Sequence, residues 1–390
     1  MKSFEFHLKT KVFFGKGEEN RTGEIIKQFG INRVVIHYGL GSVVKSGLLD
    51  RVKKSLDKVG IHHAELGGAK PNPEIGLVRE LLQLARTEKA ELILAIGGGS
   101  AIDSAKLAAA SYYHDGDPLD IPYRKHKPTK GLPTGVILTI AAAGSEMSNS
   151  AVVTEPDTKT KVGFNSPLNQ PLFAIMNPEL TYTVSPYQTA IGIVDMMMHT
   201  LERYFVPSDK LELADRFAES ILKAIMEAAP VALAQPDDYD ARSTLMIASS
   251  WAHNGLTSIG KPVQMPVHMM EHVVSGLYPE VPHGAGLAVL FPAWCLFYYQ
   301  YDVAKFNQFA RNVMDVHLND PKENAREGIL KLKRFFASLG MPLTLTALGI
   351  PNPDIDWMVD KLTNGGTRVV DHFVKPLDRE AAKAIYASCR

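Results

Sequence analysis

Short apolar runs set the rhythm of the first half of the chain: RVVIHY at 33–38, LILAI at 92–96, GVILTI at 135–140 and LFAIM at 172–176. They are compact, rich in β-branched residues and mostly bounded by Gly or Pro, as parallel strands buried on both faces are. Helical patterns at 44–59 and 73–89 lie between the first two. That order predicts a parallel sheet with crossover helices. Val12, Phe13 and Phe14, followed by Gly15 and Gly17, suggest one further strand and turn. After residue 183 the strand signal fades. Ser185, Pro186 and Gln188 form a compound helix start: a capping hydroxyl, Pro at the first helical position and Gln three residues after the cap. Helices are expected at 211–234, 240–254, 303–315 and 322–338. The pattern therefore predicts an α/β domain over 1–183 and a helical domain over 184–390, packed directly with a cleft between them.

Composition narrows the class. The 390 residues are 45% hydrophobic and 22% charged, which suits a globular chain with a large core. Lys plus Arg equals Asp plus Glu at 42 each, without the basic surplus that a nucleic-acid partner usually requires. The two cysteines, Cys295 and Cys389, exclude a disulfide framework and a Cys-based zinc ribbon and suit a reducing cytosol. The opening residues alternate polar and apolar, unlike a signal peptide. The longest apolar stretch, 287–299, is broken by Pro292 and falls short of the roughly 18 residues of a membrane span. A soluble cytoplasmic protein with no nucleic-acid or membrane partner is expected.

Candidate chemistry begins at LILAIGGGSAIDSAK, 92–106. A buried strand ends in Gly97, Gly98 and Gly99, then Ser100 is expected to cap a helix with Asp103 three residues on. Glycines let backbone amides approach an anion and the helix N-terminus adds partial positive charge, so the turn can hold a dinucleotide pyrophosphate. The alternative is a tight strand-to-helix turn with no ligand. A second glycine loop, YGLGS at 38–42, follows strand 33–38. NAD-specific domains often carry an acid there for the ribose 2′-hydroxyl. This chain offers Gly39, Gly41, Ser42 and Lys45, with no acid before Asp50, and that favours NADP(H) over NAD(H).

Of 13 histidines, His253, His268, His272 and His283 fall in one region of the helical half, with His199 upstream. Asp195 and His199 are four residues apart on one face of a predicted helix, His268 and His272 repeat the spacing, and His283 follows in a loop, PHG. A lone His on an apolar helix is usually core. Two such pairs are harder to bury without partners. One carboxylate and three imidazoles make a site for Fe²⁺, Zn²⁺ or another first-row divalent ion. With a dinucleotide loop, such a metal points to alcohol or aldehyde oxidoreduction, the metal polarising the oxygen and hydride passing to or from nicotinamide.

FGKG at 14–17, YGLGSVVKSG at 38–47, PNP at 71–73, GGGSAIDSAK at 97–106, GSE at 144–146, NPELTYT at 177–183, the Asp195–His199 helix, HxxxH at 268–272 and PHG at 282–284 run end to end along the chain. In that order they resemble the iron-containing (group III) alcohol dehydrogenases, in the branch of butanol dehydrogenases and NADPH-dependent aldehyde reductases. The resemblance implies a dehydroquinate-synthase-like architecture: a Rossmann-like N-terminal domain, an all-helical C-terminal domain, and metal and nicotinamide in the cleft. It implies Asp195, His199, His268 and His283 as metal ligands, with His272 near the substrate in a proton-relay role. It assigns the pyrophosphate to Gly97, Gly98, Gly99 and Ser100, the nicotinamide end to Asp103 and Lys161, with Asp103 a candidate catalytic residue beside His272, and the adenosine 2′-position to Gly39, Ser42 and Lys45. Thr139 and Ser145 survive from the family's threonine-rich loop, but Ala143 replaces a hydroxyl, at a cost on the order of 1 kcal/mol. Met196, Met197, Met198, Met265, Met269 and Met270 are expected to be core, some of them lining an apolar pocket for short to medium unbranched alcohols and aldehydes. A homodimer paired through the N-terminal edge strand is also implied.

Three rivals stand beside this reading. An NAD-dependent glycerol or propanediol dehydrogenase differs only in substrate and cofactor. A dehydroquinate-synthase-like lyase needs clustered bases for a phosphorylated acid, and the metal motifs have only Arg203 and Lys261 nearby in sequence. A non-catalytic metal- or nucleotide-binding protein would be expected to have lost a ligand, yet all four are present.

Overall fold

The computed structural model describes residues 3–207, 212–370 and 374–390. The chain divides into two compact units, one of His7–Val184 and one of Ser185–Arg390 with the residues up to Phe6.

The first unit contains strands β1 (Lys11–Phe14), β2 (Arg33–Gly39), β3 (His62–Ala69), β4 (Leu92–Gly97), β5 (Thr134–Leu138), β6 (Ser150–Glu155), β7 (Thr160–Asn165) and β8 (Phe173–Met176). Its helices are α1 (Thr22–Lys27), α2 (Ser42–Lys45), α3 (Leu48–Lys58), α4 (Ile75–Thr87) and α5 (Gly99–Ser111). Six strands form one sheet in the order β1-β8-β5-β4-β2-β3, every pair parallel. Central β4 is buried at all six positions, which explains its unbroken apolar sequence. Leu94, Ile96, Ile137, Phe173 and Ile175 join Ile25, Val52 and Leu56 from the helices in one core.

Three features depart from the sequence reading. Strand β3, HHAELGGA, lies at the sheet edge with mostly part-exposed residues and gives no apolar run. Strands β6 and β7 form a separate antiparallel hairpin that alternates too weakly to be read. The helix expected at 44–59 is two helices, because Gly47 takes a left-handed φ of 70° between α2 and α3.

The second unit is helical: α6 (Pro186–Tyr204), α7 (Glu212–Ala234), α8 (Tyr239–His253), α9 (Pro266–Leu277), α10 (His283–Tyr298), α11 (Val303–Asn312), α12 (Pro321–Ser338), α13 (Ile355–Thr363) and α14 (Arg379–Ser388). The first position of the helix expected at 211–234 lies outside the described residues. Ser185 caps α6 as expected, its hydroxyl accepting from Gln188 N at 3.2 Å. Pro292 does not break its apolar segment, since α10 continues through it. His283 is likewise the first residue of α10 and not part of a loop. No helix among the described residues is long and apolar enough to cross a membrane. Cys295 and Cys389 are both free and buried.

On β5, Gly135 is small because the Phe173 ring of neighbouring β8 lies over it: a Cβ there would fall 2.3 Å from Phe173 Cζ. Gly135→Ala is expected to cost about 1–3 kcal/mol by overpacking, read as a lower urea midpoint at unchanged slope. An unchanged midpoint would contradict this packing.

Candidate functional site

Helix α6 is buried at every position from Thr189 to Tyr204, yet it carries Asp195, His199 and Glu202. Their spacing of four and then three residues sets all three on one face. His268 comes from α9 and His283 from the start of α10. Asp195 Oδ1 is the common point: His199 Nδ1 lies 3.3 Å away, His268 Nε2 3.6 Å and His283 Nε2 3.8 Å. Asp195, His199 and His268 each offer a ligand atom within 4.8 Å of the others, and Glu271, His272 and His283 form a second such group.

The Nδ1 atom of each ring is engaged by an oxygen acceptor, on His199 the same nitrogen that faces Asp195 Oδ1. His199 Nδ1 meets the backbone oxygen of Asp195 at 2.9 Å. His268 Nδ1 meets Glu202, which also accepts from Val267 N at 2.6 Å, and His283 Nδ1 meets Glu271. Acceptors at all three Nδ1 atoms hold a proton there and make Nε2 the nitrogen that a metal would take in place of a proton, the arrangement of a metal-ligating histidine. Asp195 Oδ1 and His268 Nε2 are buried and make no hydrogen bond among the described residues. Orphaned polar atoms of this kind are costly, and one cation satisfies both. The residues fit a divalent metal.

Charge follows from burial. Burial alone would raise the Asp195 carboxyl, but the imidazoles of His199, His268 and His283 hold it well below the usual carboxylate range. Burial pushes His199 well below its ordinary value. Burial would also lower His268, yet Glu202 and Asp195 outweigh it and raise the ring to about 9. Two glycines permit the close approach of the helices. A Cβ on Gly284 would fall 2.3 Å from the backbone oxygen of Ile191, and one on Gly286 would fall 2.9 Å from Glu271 Cγ. His253, at the end of α8, stacks on His199 with centroids 4.0 Å apart. Met196, Met197, Met198 and Met270 are fully buried core, while Met265 and Met269 are half-buried.

In the first unit, the turn after β4 is a nucleotide-loop candidate. Gly98, not Ser100, is the N-cap of α5, and Ser100 lies inside the first turn. A Cβ on Gly98 would fall 2.2 Å from Ile140 Cγ2, and one on Gly99 3.3 Å from Ala143 Cβ, so these glycines let the 139–146 loop pack onto the turn. Thr139 N donates to Gly97 O at 3.1 Å. Asp103 is buried, with Ser145 Oγ donating to one carboxylate oxygen at 2.6 Å and Val152 N to the other at 3.0 Å. Burial raises its carboxyl pKa. Lys161 Nζ donates to Asn72 Oδ1 at 3.0 Å, and Asn72 adopts a left-handed φ of 56°. Gly39 ends β2, Gly41 caps α2, and Ser42 and Lys45 are exposed on that helix.

Sequence reasoning missed Glu202, Glu271, Asn72 and Lys106. Glu202 follows His199 by three positions and Glu271 follows His268 by three, so the same one-face rule could have found both. Asn72 carries no signal beyond the PNP motif.

The family described as iron-containing alcohol dehydrogenase matches residues 9–178, and its C-terminal counterpart, Fe-containing alcohol dehydrogenase family, C-terminal, matches 189–389. The chain is 41% identical to NADH-dependent butanol dehydrogenase A of Clostridium acetobutylicum, over 94% of this chain and 95% of that protein. It is 35% identical to the NADPH-dependent aldehyde reductase YqhD of Escherichia coli, over 100% of both chains. The crystal structure of NADH-dependent butanol dehydrogenase A from Thermotoga maritima superposes with a TM-score of 0.96 at 36% identity, covering 100% of this chain and 99% of that one.

Glu202→Gln keeps the shape of the Glu202 side chain and removes its charge. It is expected to weaken Zn²⁺ affinity about 10–100-fold in chelator competition. A metal must displace the proton that Glu202 and Asp195 hold on His268, so wild-type affinity is expected to rise with pH, about tenfold per unit between pH 6 and 8. Affinity independent of both Glu202 and pH would contradict a metal at these rings.

Proposed function

The chain belongs to the iron-containing alcohol dehydrogenase family, and from that premise we propose that it interconverts short to medium primary alcohols and aldehydes with NADP(H). One divalent ion, Fe²⁺ or Zn²⁺, would be held by Asp195, His199, His268 and His283. The observation that carries this reading is the pair of orphaned buried atoms, Asp195 Oδ1 and His268 Nε2, among imidazoles whose Nδ1 atoms are engaged. When bound, the metal supplies a Lewis acid for the substrate oxygen and the nicotinamide supplies or accepts the hydride.

The chain's own residues supply the rest. Glu202 and Glu271 fix the planes of His268 and His283. One carboxylate with three neutral imidazoles leaves a divalent site net positive, which suits an electrophilic role. His272 lies one helical turn beyond His268, with its ring centroid 5.5 Å from that of His283, and we assign it exchange of the alcohol proton. Gly97, Gly98, Gly99 and Ser100 at the start of α5 hold the pyrophosphate. Thr139 and Ser145 border this turn, and Lys161, steadied by Asn72, would hold the nicotinamide ribose. Asp103 has both oxygens taken up by Ser145 and Val152, which supports a role in holding that loop rather than in the chemistry.

The turn after β2 supports NADP(H), since Gly39, Gly41, Ser42 and Lys45 leave room and positive charge where an NAD-specific site would carry an acid. NAD(H) is the second reading, favoured by the NADH-dependent butanol dehydrogenases among the relatives. We further propose a homodimer through the open edge at β1, where Val12 and Phe14 are exposed after an exposed Phe4, Phe6 and Leu8. The free, buried thiols of Cys295 and Cys389 suit a reducing compartment, and we place the enzyme in the cytoplasm.

The test is butanal reduction by chelator-stripped protein reloaded with Fe²⁺, Zn²⁺ or buffer alone, followed as NADPH or NADH oxidation. Turnover is expected only with metal, with kcat/KM higher for NADPH. A preference for NADH would overturn the 2′-phosphate reading alone. No turnover with either metal, in protein that binds metal and nucleotide, would overturn the proposed substrate.

A further inference from the structure

Lys106 is the feature that the proposed chemistry does not use. It follows the glycine turn on α5, is 1% exposed, and its ammonium lies among chain groups. Nζ donates to Ser145 Oγ at 2.8 Å, Ser148 O at 3.1 Å and Ser150 O at 2.8 Å, with Ser148 Oγ at 3.4 Å. Ser145 passes its own hydrogen to Asp103, three residues before Lys106 on the same helix. One cation thus gathers three successive points of the 145–150 segment onto the helix that opens at the pyrophosphate turn. The same segment continues the 139–146 loop, where Ala143 faces Gly99.

A neutral side chain would fill this space without the expense of burying a charge. Burial pushes the Lys106 amine down to about 8, against the pull of Asp103 and Glu146. Burial outweighs attraction there, so the buried charge is weak ground for stability. Groups kept at such a disadvantage tend to serve a site.

We propose that Lys106 is a positioning residue: its ammonium fastens the Ser145–Ser150 segment to α5 and so shapes the glycine turn and the loop over it for the nucleotide. This rests on the reading of that turn as the cofactor site. The ligand addressed is the dinucleotide, and Lys106 acts on it through Ser145 and the backbone without touching it.

The experiment uses the full-length protein and measures NADPH and NADH dissociation constants by nucleotide fluorescence. Melting temperature, Zn²⁺ affinity and the division of effects between KM and kcat are read alongside. Lys106→Met is expected to raise the nucleotide dissociation constant about tenfold or more, because a small misplacement of a binding loop is costly. Zn²⁺ affinity should stay at the wild-type value, and kcat at saturating nucleotide within about threefold, since uniform binding is what is lost. Lys106→Arg, which keeps charge and donors, should recover part of the loss. Ser148→Ala is the milder cut should Lys106→Met not fold, and it should weaken binding about threefold, in line with one modest hydrogen bond. Variants that melt earlier but bind nucleotide like wild type would overturn the proposal and leave Lys106 a structural cation. Wild-type protein that binds neither nucleotide would overturn the cofactor reading of the turn, and this inference with it.

Discussion

The helical unit depends on burying a carboxylate and two imidazoles, with a third imidazole half-buried beside them, among apolar helices. Taking an ion out of water costs several kcal/mol even after relaxation. A unit charge pair about 4 Å apart returns about 4 kcal/mol at an effective dielectric near 20. A single proton shared among Asp195, His199, His268 and His283 therefore leaves the balance close, and a doubly charged ion moves it firmly. The buried orphans Asp195 Oδ1 and His268 Nε2 are the local trace of that imbalance.

Much of the surrounding architecture follows. Glu202 and Glu271 are themselves fully buried carboxylates, tolerable because each meets an imidazole and, for Glu202, backbone N–H groups as well. Gly284 and Gly286 give up side chains so that α10 can approach α6 and Glu271. In the other unit, Gly98 and Gly99 do the same for the loop over the β4–α5 turn, and Lys106 supplies the cation that holds it. In both units glycine provides proximity and a buried charge provides direction.

The buried strands β2, β4, β5 and β8 could be read from the sequence because a strand covered on both faces has a continuous apolar sequence. Edge strand β3 and the β6–β7 hairpin could not, since their register is set by neighbours that no local pattern reveals. The pairs Asp195–His199 and His268–His272 were legible from four-residue spacing within single helices. The choice of His268 and His283 over His272 as partners of Asp195 was supplied by family resemblance rather than by spacing, and the structure puts His268 Nε2 at 3.6 Å and His283 Nε2 at 3.8 Å from Asp195 Oδ1. Two local rules misled: Ser after a glycine run suggested a cap that Gly98 provides instead, and Pro292 suggested a break that tertiary packing overrides.

The central claim is that these four side chains converge on one metal ion. X-ray absorption at the metal edge of the purified, metal-loaded protein measures this directly. The expected result is one ion per chain with three nitrogen donors and at least one oxygen donor at about 2.0–2.2 Å and no sulfur. An ion with fewer nitrogen donors, or a spectrum unchanged when Asp195 is replaced by Ala, would contradict it.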